Sequence, residues 1–95
     1  MLYRVLVDDN FHALDPEYRY ELGTYPSFEE ARAAAQQFID TYLQETYRPG
    51  MSASHLFQLF TLFGEDPFIV APDLPSVAFS SWDYARQRCE AICAS

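Results

Sequence analysis

The sequence predicts a small α+β domain, in which an antiparallel sheet of three or four strands carries its helices mostly on one face. Apolar and polar residues alternate near the amino terminus, and a capping box opens a helical pattern at Ser27. The 95 residues are 49% apolar and 17% aromatic, which excludes a disordered chain. We expect a single domain over residues 1–95 with elements in the order ββααβ(β)α.

A β-hairpin is predicted at the amino terminus. The first eight residues alternate like a strand with one buried face, and residues 18–23 repeat the alternation after a polar connection. If the apolar side chains share one face, Val5 lies opposite Tyr20. The same register sets Arg4 against Glu21 as a cross-strand ion pair. The side chains expected to face the core are Tyr3, Val5, Val7, Tyr18, Tyr20 and Leu22.

The first helix is predicted from a capping box. The hydroxyl of Ser27 accepts from the amide of Glu30, and the Glu30 carboxylate reaches back to the amide of Ser27. The helix is expected to end at the pair Pro49 and Gly50. Its core stripe is Phe28, Ala31, Ala35, Phe38 and Tyr42, and its solvent side is Arg32, Gln36, Asp40 and Gln44.

A second helix is predicted from a cap at Ser52 through Phe63. Gly64 ends it, because a residue without a β-carbon suits the left-handed conformation that follows many helices. We interpret Glu65 and Asp66, which follow at once, as turn and solvation residues rather than as an acid/base pair.

The last third of the chain adds a strand at residues 68–71 and a final helix. A short apolar run at residues 77–79 would supply the fourth strand of the sheet. Ser80 or Ser81 caps the final helix. The inner stripe of this helix is Trp82, Ala85, Cys89 and either Ile92 or Cys93.

The charge balance excludes several classes of function. Fourteen acidic residues oppose six arginines, with no lysine, so the net charge is −8. Binders of nucleic acid or anionic lipid need clustered Lys and Arg, so we expect neither nucleic acid nor a membrane as partner. No uncharged stretch reaches the ~20 apolar residues of a membrane span, and the first residues lack the order of a signal peptide. These features predict a cytosolic protein.

Two groups of residues have side chains that can bind metal ions. The hairpin connection carries oxygen and imidazole groups but lacks the glycine and the ligand order of a calcium loop; its residues are Asp8, Asp9, Asn10, His12, Asp15 and Glu17. Cys89 and Cys93 would make half of a zinc site with His12 or His55. A solvated loop and two core thiols are the simpler interpretation, so no catalytic, cofactor or metal residue is assigned. A small metal-dependent enzyme that uses the Asp8–Glu17 loop with a His or Cys is the alternative function.

The second helix points to a contact surface. Its apolar arc is wider than a helix on a sheet needs, so part of it is expected to meet a neighbouring helix or a partner; the arc consists of Leu56, Phe57, Leu59, Phe60, Leu62 and Phe63. We expect a non-enzymatic protein-interaction or accessory domain, with an apolar helix surface and an acidic rim, whose simplest partner is a second copy. The interface candidates are Tyr47, Phe57, Phe60 and Leu62.

Two segments resemble those of small uncharacterised bacterial proteins. They are Gly64-Glu65-Asp66-Pro67-Phe68-Ile69 and Phe79-Ser80-Ser81-Trp82-Asp83-Tyr84-Ala85. The resemblance is confined to these two segments, and it implies no activity.

Overall fold

The structure is a computed structural model that describes residues 2–12, 16–71 and 79–94. Within these ranges three strands and three α-helices follow one another as ββααβα, which confirms the predicted α+β class. They are β1 (Tyr3–Asp9), β2 (Tyr20–Tyr25), α1 (Phe28–Thr46), α2 (Ala53–Phe63), β3 (Glu65–Val70) and α3 (Ser81–Cys93), with short 3-10 turns at Asn10–His12 and Pro16–Tyr18. Residues 77 and 78 of the expected fourth strand lie outside the described residues.

The three strands form one antiparallel sheet in the order β2-β1-β3. Val5 of β1 lies opposite Ile69 of β3, and both are fully buried against Ala31 and Ala35 of α1. On the opposite face of the sheet, apolar side chains are only half-buried; they are Leu6, Phe68 and Val70.

The predicted register of the hairpin is wrong, although its ion pair forms. Val5 lies opposite Gly23, and Tyr20 lies opposite Val7 instead. Two features move the register: the 3-10 turn at residues 16–18 delays the start of β2, and a bulge interrupts the ladder beside Val5. Arg4 and Glu21 still meet diagonally, with Nε 2.6 Å from Oε1. A bulge that sequence alternation does not encode therefore decides which residues pair.

The buried stripe of α1 differs from the predicted one. The Ser27 hydroxyl accepts from the Glu30 amide as expected, and the helix begins at Phe28. The fully buried residues are Ala31, Ala35, Ile39 and Leu43, whereas Phe28, Phe38 and Tyr42 are half-buried. The first half of α1 packs on the sheet, while its second half packs on α2 and α3. The buried face of α1 is therefore determined by two different packing partners along its length.

A polar network joins α1 to α3. Asp40, expected on the solvent side, accepts hydrogen bonds from the Tyr84 hydroxyl at 2.9 Å and from Arg88 Nε at 3.0 Å. Burial, together with the hydrogen bond to the carboxylate, raises the pKa of Tyr84 to about 12. The network pairs a half-buried charge and fixes the two helices side by side.

The expected conformation of Gly64 is wrong. Gly64 does not adopt the left-handed conformation, since its φ is −80°. Glycine is required there for space, because a β-carbon would lie 2.7 Å from the carbonyl oxygen of Phe60. The positive φ of +90° occurs at Gly50, after α1.

The inner face of α3 begins one residue earlier than predicted. Ser80 is the N-cap, and its hydroxyl accepts from the Asp83 amide. This start places Ser81, with Ala85 and Cys89, on the buried side, while the side chain of Trp82 is 45% exposed. The Ser81 hydroxyl donates to Asp66, so a polar contact occupies the buried side of the helix where the largest apolar residue was expected.

Candidate functional site

The carboxyl end of α2 presents an exposed apolar surface. Phe11, Leu62 and Phe63, here called the Phe11–Phe63 patch, are exposed to 64%, 49% and 58%. The rings of Phe11 and Phe63 are stacked, with centroids 5.7 Å apart. Adjacent aromatic side chains that remain in water are costly to hydrate, so the patch is a candidate contact surface.

Asn10 brings Phe11 to this end of α2. Its amide Nδ2 donates to the carbonyl oxygen of Phe60 at 2.9 Å, and its backbone N–H donates to that of Gly64 at 3.0 Å. The bond to Gly64 satisfies a carbonyl group that the helix end leaves open, while the carbonyl of Phe60 accepts from Asn10 in addition to the Gly64 amide. The 3-10 turn that contains Phe11 is thereby held against the helix. Sequence reasoning missed Phe11, and its only signal is a large aromatic residue inside a polar connection.

The four predicted interface residues occupy different environments. Phe60 is fully buried in the core between the helices, so it offers no surface. Phe57 is half-buried, with its ring edge-on to Trp82 at 6.2 Å and beneath the guanidinium of Arg86 at 5.4 Å. Tyr47 is half-buried beside the same core, and Leu62 alone of the four lies in the patch. The wide apolar arc of α2 is thus divided between α1, α3 and solvent.

Two pairs of carboxylates lie opposite each other across β1 and β3, and consecutive residues of a strand point to opposite faces of the sheet. Asp8 lies opposite Asp66, and Asp9 lies opposite Glu65, so the pair interpreted as turn residues instead begins β3. Like charges directly opposite destabilise a sheet. Each carboxylate accepts a hydrogen bond; the donors are Arg19 for Asp8, the Phe11 amide for Asp9, Tyr20 for Glu65 and Ser81 for Asp66. Asp9, which accepts from the Phe11 amide, and Glu65 opposite it form an acidic rim next to the patch.

Among residues 2–12, 16–71 and 79–94, no group of three Asp, Glu, His or Cys side chains is arranged to hold a metal ion. Asp15 and the side chain of His12, both part of the predicted metal loop, lie outside the described residues. Cys89 and Cys93 are free thiols, and burial raises the pKa of Cys89 to about 11. A thiol with that pKa is protonated at neutral pH, which is unfavourable for a nucleophile.

Asp66→Asn is expected to stabilise the protein at pH 7 by up to about 1 kcal/mol, because it removes a like-charge pair while its carbonyl still accepts from Ser81. Burial first, and the charge of Asp8 to a lesser degree, raise the pKa of Asp66. The folded state therefore holds this proton more tightly than the unfolded chain does. Protonated Asp66 therefore stabilises the folded state fully below the pKa of about 3.9 that the group has in the unfolded chain. This stabilisation is lost as the pH rises through the higher pKa of the folded state.

The advantage of Asp66→Asn should consequently be absent near pH 3 and complete at pH 7, as measured by urea unfolding at each pH. The same change at exposed Asp83 serves as the control and is not expected to stabilise. An equal gain from Asp66→Asn at both pH values would contradict the assignment.

A concave feature lies between α1 and β2. It is an open groove of about 490 Å³, within the range of ligand sites. One wall is the flank of α1, and the other contains Leu22 and Tyr25 of β2. Glu45 and Glu65 bring two carboxylates to its lining.

The fold and these surfaces define a small acidic α+β protein with an apolar patch and an acid-lined groove. Comparison with protein-family models, curated proteins and solved structures finds no match for the chain. None of the helices in the described ranges has the length and apolar character to cross a membrane.

Proposed function

We propose that the protein is a non-enzymatic interaction module that associates with a second copy of itself through the Phe11–Phe63 patch. The observation that carries the proposal is the stacked pair of exposed phenylalanines at the end of α2, with exposed Leu62 beside it. Small oligomers are most often two-fold symmetric, so one patch used twice closes the assembly.

The patch is large enough to form the centre of an interface of modest affinity. Two largely exposed phenylalanines and one leucine present an area on the order of 300 Å², which is typical of functional patches. A stable interface needs about 800 Å² from each partner, so the surrounding rim must contribute the rest. Aromatic anchors at the centre of an interface supply most of its free energy.

The acidic rim determines how the association responds to salt. Asp9 and Glu65 lie next to the patch, and each chain carries a net charge of −8. Two copies therefore bring like charges together, and salt screens that repulsion over a Debye length of about 10 Å at 0.1 M. Self-association is expected to strengthen as salt is added. Binding to a basic partner would weaken instead.

Phe63→Asp is expected to abolish self-association, because it places a carboxylate at the centre of the apolar contact. Sedimentation equilibrium of the wild type should give a mass that approaches twice the 11.0 kDa of the chain as concentration rises. The shift should be larger in about 0.5 M than in about 0.05 M NaCl. The variant should stay at the monomer mass in both.

Leu2→Asp is the matched control, since Leu2 is exposed to 52% but lies outside the patch. It should associate like the wild type, and circular dichroism should show that all three proteins are folded. A wild type that remains monomeric up to about 0.5 mM, or a folded Phe63→Asp that associates unchanged, would refute the proposal.

A cytosolic location belongs to the same proposal. Both cysteines are free thiols, as a reducing compartment maintains them. The net charge of −8 supports the expectation that neither nucleic acid nor an anionic membrane is a partner.

A further inference from the structure

The groove between α1 and β2 lies on the helix side of the sheet. The buried alanines of α1 pack in one cluster with Val5 of β1 and Ile69 of β3, so the helix is centred on those two strands. β2, at the edge of the sheet, is covered less closely, and the groove is the space left between its residues and the flank of α1. The off-centre position of the helix therefore creates the groove.

The direction of α1 fixes which side chains lie at each end of the groove. Phe28, the first residue of α1, contacts Tyr3 at the start of β1, with ring centroids 6.2 Å apart. Further along the helix, Tyr42 contacts Phe60 of α2, whose carbonyl oxygen accepts from Asn10, the residue after β1. The helix therefore runs from the start of β1 towards its end.

Two carboxylates lie at the end of the groove that is near the end of β1. Glu45, in the last turn of α1, and Glu65, the first residue of β3, both line the groove. Glu65 lies opposite Asp9 and four residues before Ile69, so it is on the helix side of the sheet. Among the described residues no arginine forms an ion pair with either glutamate, and Arg48 donates to the backbone carbonyl of Glu45.

Tyr20 holds Glu65 in position. Its hydroxyl reaches across β1 and donates to Oε2 of Glu65 at 2.6 Å. Burial, together with this hydrogen bond, raises the pKa of Tyr20, so the hydroxyl remains a donor at neutral pH. A carboxylate accepts up to about four hydrogen bonds, so Glu65 keeps acceptor capacity for a ligand.

The rest of the lining is mainly apolar and aromatic. Tyr25 of β2 and Phe38 and Tyr42 of α1 supply three rings. The polar groups of Gln37 and Thr41 bond to each other at 3.3 Å. The two glutamates are the charged side chains among the residues that line the groove, which disfavours an anion. Aromatic rings pack on other rings and attract cations, so the lining suits a cation with an aromatic body.

We propose that the groove binds a small organic cation, a primary amine joined by a short alkyl chain to an aromatic ring. The ammonium group meets the carboxylates of Glu45 and Glu65, and the ring packs against the aromatic lining. The volume of about 490 Å³ is sufficient for a molecule of this size. The residues of the Phe11–Phe63 patch do not line the groove, so this site does not depend on self-association.

Tryptamine is the probe, because a short alkyl chain joins its ammonium group to an indole ring. Titration of the full chain, followed by nuclear magnetic resonance, should give a dissociation constant of about 1 mM or tighter. The shifted resonances should belong to residues that line the groove, among them Leu22, Ala34 and Thr41. Raising NaCl from about 0.05 M to about 0.5 M should weaken binding, because salt screens the ion pair.

Three analogues of tryptamine separate the charge from the ring. Tryptophol, the neutral alcohol of similar shape, should bind at least about fivefold more weakly, because it forms no ion pair. Indolepropionate, which carries a negative charge, should show no binding up to about 10 mM. Butylamine, which lacks the ring, should likewise show none.

The double variant Glu45→Gln with Glu65→Gln tests the charged end. It should weaken tryptamine binding about fivefold in about 0.05 M NaCl and leave tryptophol binding unchanged. The amide oxygen introduced at position 65 still accepts from the Tyr20 hydroxyl, so the local structure is kept. Glu29→Gln is the matched control, since Glu29 is on the same helix and does not line the groove.

Ala34→Trp tests the place of the ring. It is expected to weaken tryptamine binding by about tenfold or more, because the introduced indole fills the groove. Ala33→Trp is the matched control, since Ala33 is exposed and does not line the groove, and its affinity should equal that of the wild type. Circular dichroism should show that all variants are folded.

The proposal would be overturned by the absence of tryptamine binding up to about 10 mM, or by an analogue that binds as tightly as tryptamine. Unchanged affinity in the folded Ala34→Trp or double glutamine variant would overturn it as well. Phe63→Asp should bind tryptamine as the wild type does. Binding that is lost in Phe63→Asp and kept in Ala34→Trp would instead place the amine at the Phe11–Phe63 patch.

Discussion

Phe60→Ala is expected to lower the free energy of unfolding by about 3–5 kcal/mol, the usual cost of truncating a buried phenylalanine. Phe60 is among the largest fully buried side chains of the protein, and its ring lies edge-on to Tyr42 with centroids 5.8 Å apart. It packs in the cluster where α1, α2 and α3 meet. Alanine would leave a cavity that the surrounding helices cannot fill, because interiors are close-packed.

Phe63→Ala is the matched control, since it removes the same side chain from the same helix at an exposed position. Its cost is expected to stay below about 1 kcal/mol, because the ring is mostly in water before the change. Urea unfolding followed by circular dichroism measures both variants. Similar midpoints for the two variants would show that Phe60 is not the core anchor of α2. They would also contradict the division of the apolar arc of α2 between α1, α3 and solvent.

Val5→Asp is expected to cost at least about 4 kcal/mol and to leave the chain largely unfolded, because it buries a carboxylate without a partner. Val5 is fully buried between Ile69 and the alanines of α1. Val5→Ala is the milder variant, with an expected loss of about 2 kcal/mol from the removed methyl groups and the cavity.

Leu6→Asp tests the face assignment, because Leu6 lies on the opposite, half-buried face of the same strand. We expect a smaller loss than for Val5→Asp, measured by urea unfolding. A Val5→Asp protein with the midpoint of the wild type, or one more stable than Leu6→Asp, would mean that the two faces of β1 are reversed.

The starts of the helices could be predicted because their causes are local. The serines at positions 27, 52 and 80 each accept from an amide three residues later, as the capping signals predict. The alternation of β1 correctly placed Val5 and Val7 in the core. Such signals depend on a few neighbouring residues, and the final fold does not alter them.

The candidate sites were only partly predictable. The apolar arc of α2 predicted an exposed apolar surface on this helix, and Leu62 is exposed as expected. Phe60 and Phe57 point to α1 and α3 instead, because two other helices pack on α2. Phe11 reaches the same surface from the hairpin connection through Asn10, a contact between positions fifty residues apart. No pattern within one element encodes such a contact.

The sequence by itself determined the α+β class, the three helices with their serine caps and the acidic charge of the molecule. Only the tertiary structure decided the bulge that shifts β2, the rotation that buries Ser81 instead of Trp82, and the groove between α1 and β2. The physical reason is the range of the interactions. Caps and periodicity act within a few residues, whereas register, helix rotation and grooves arise from the packing of side chains that are distant in the chain.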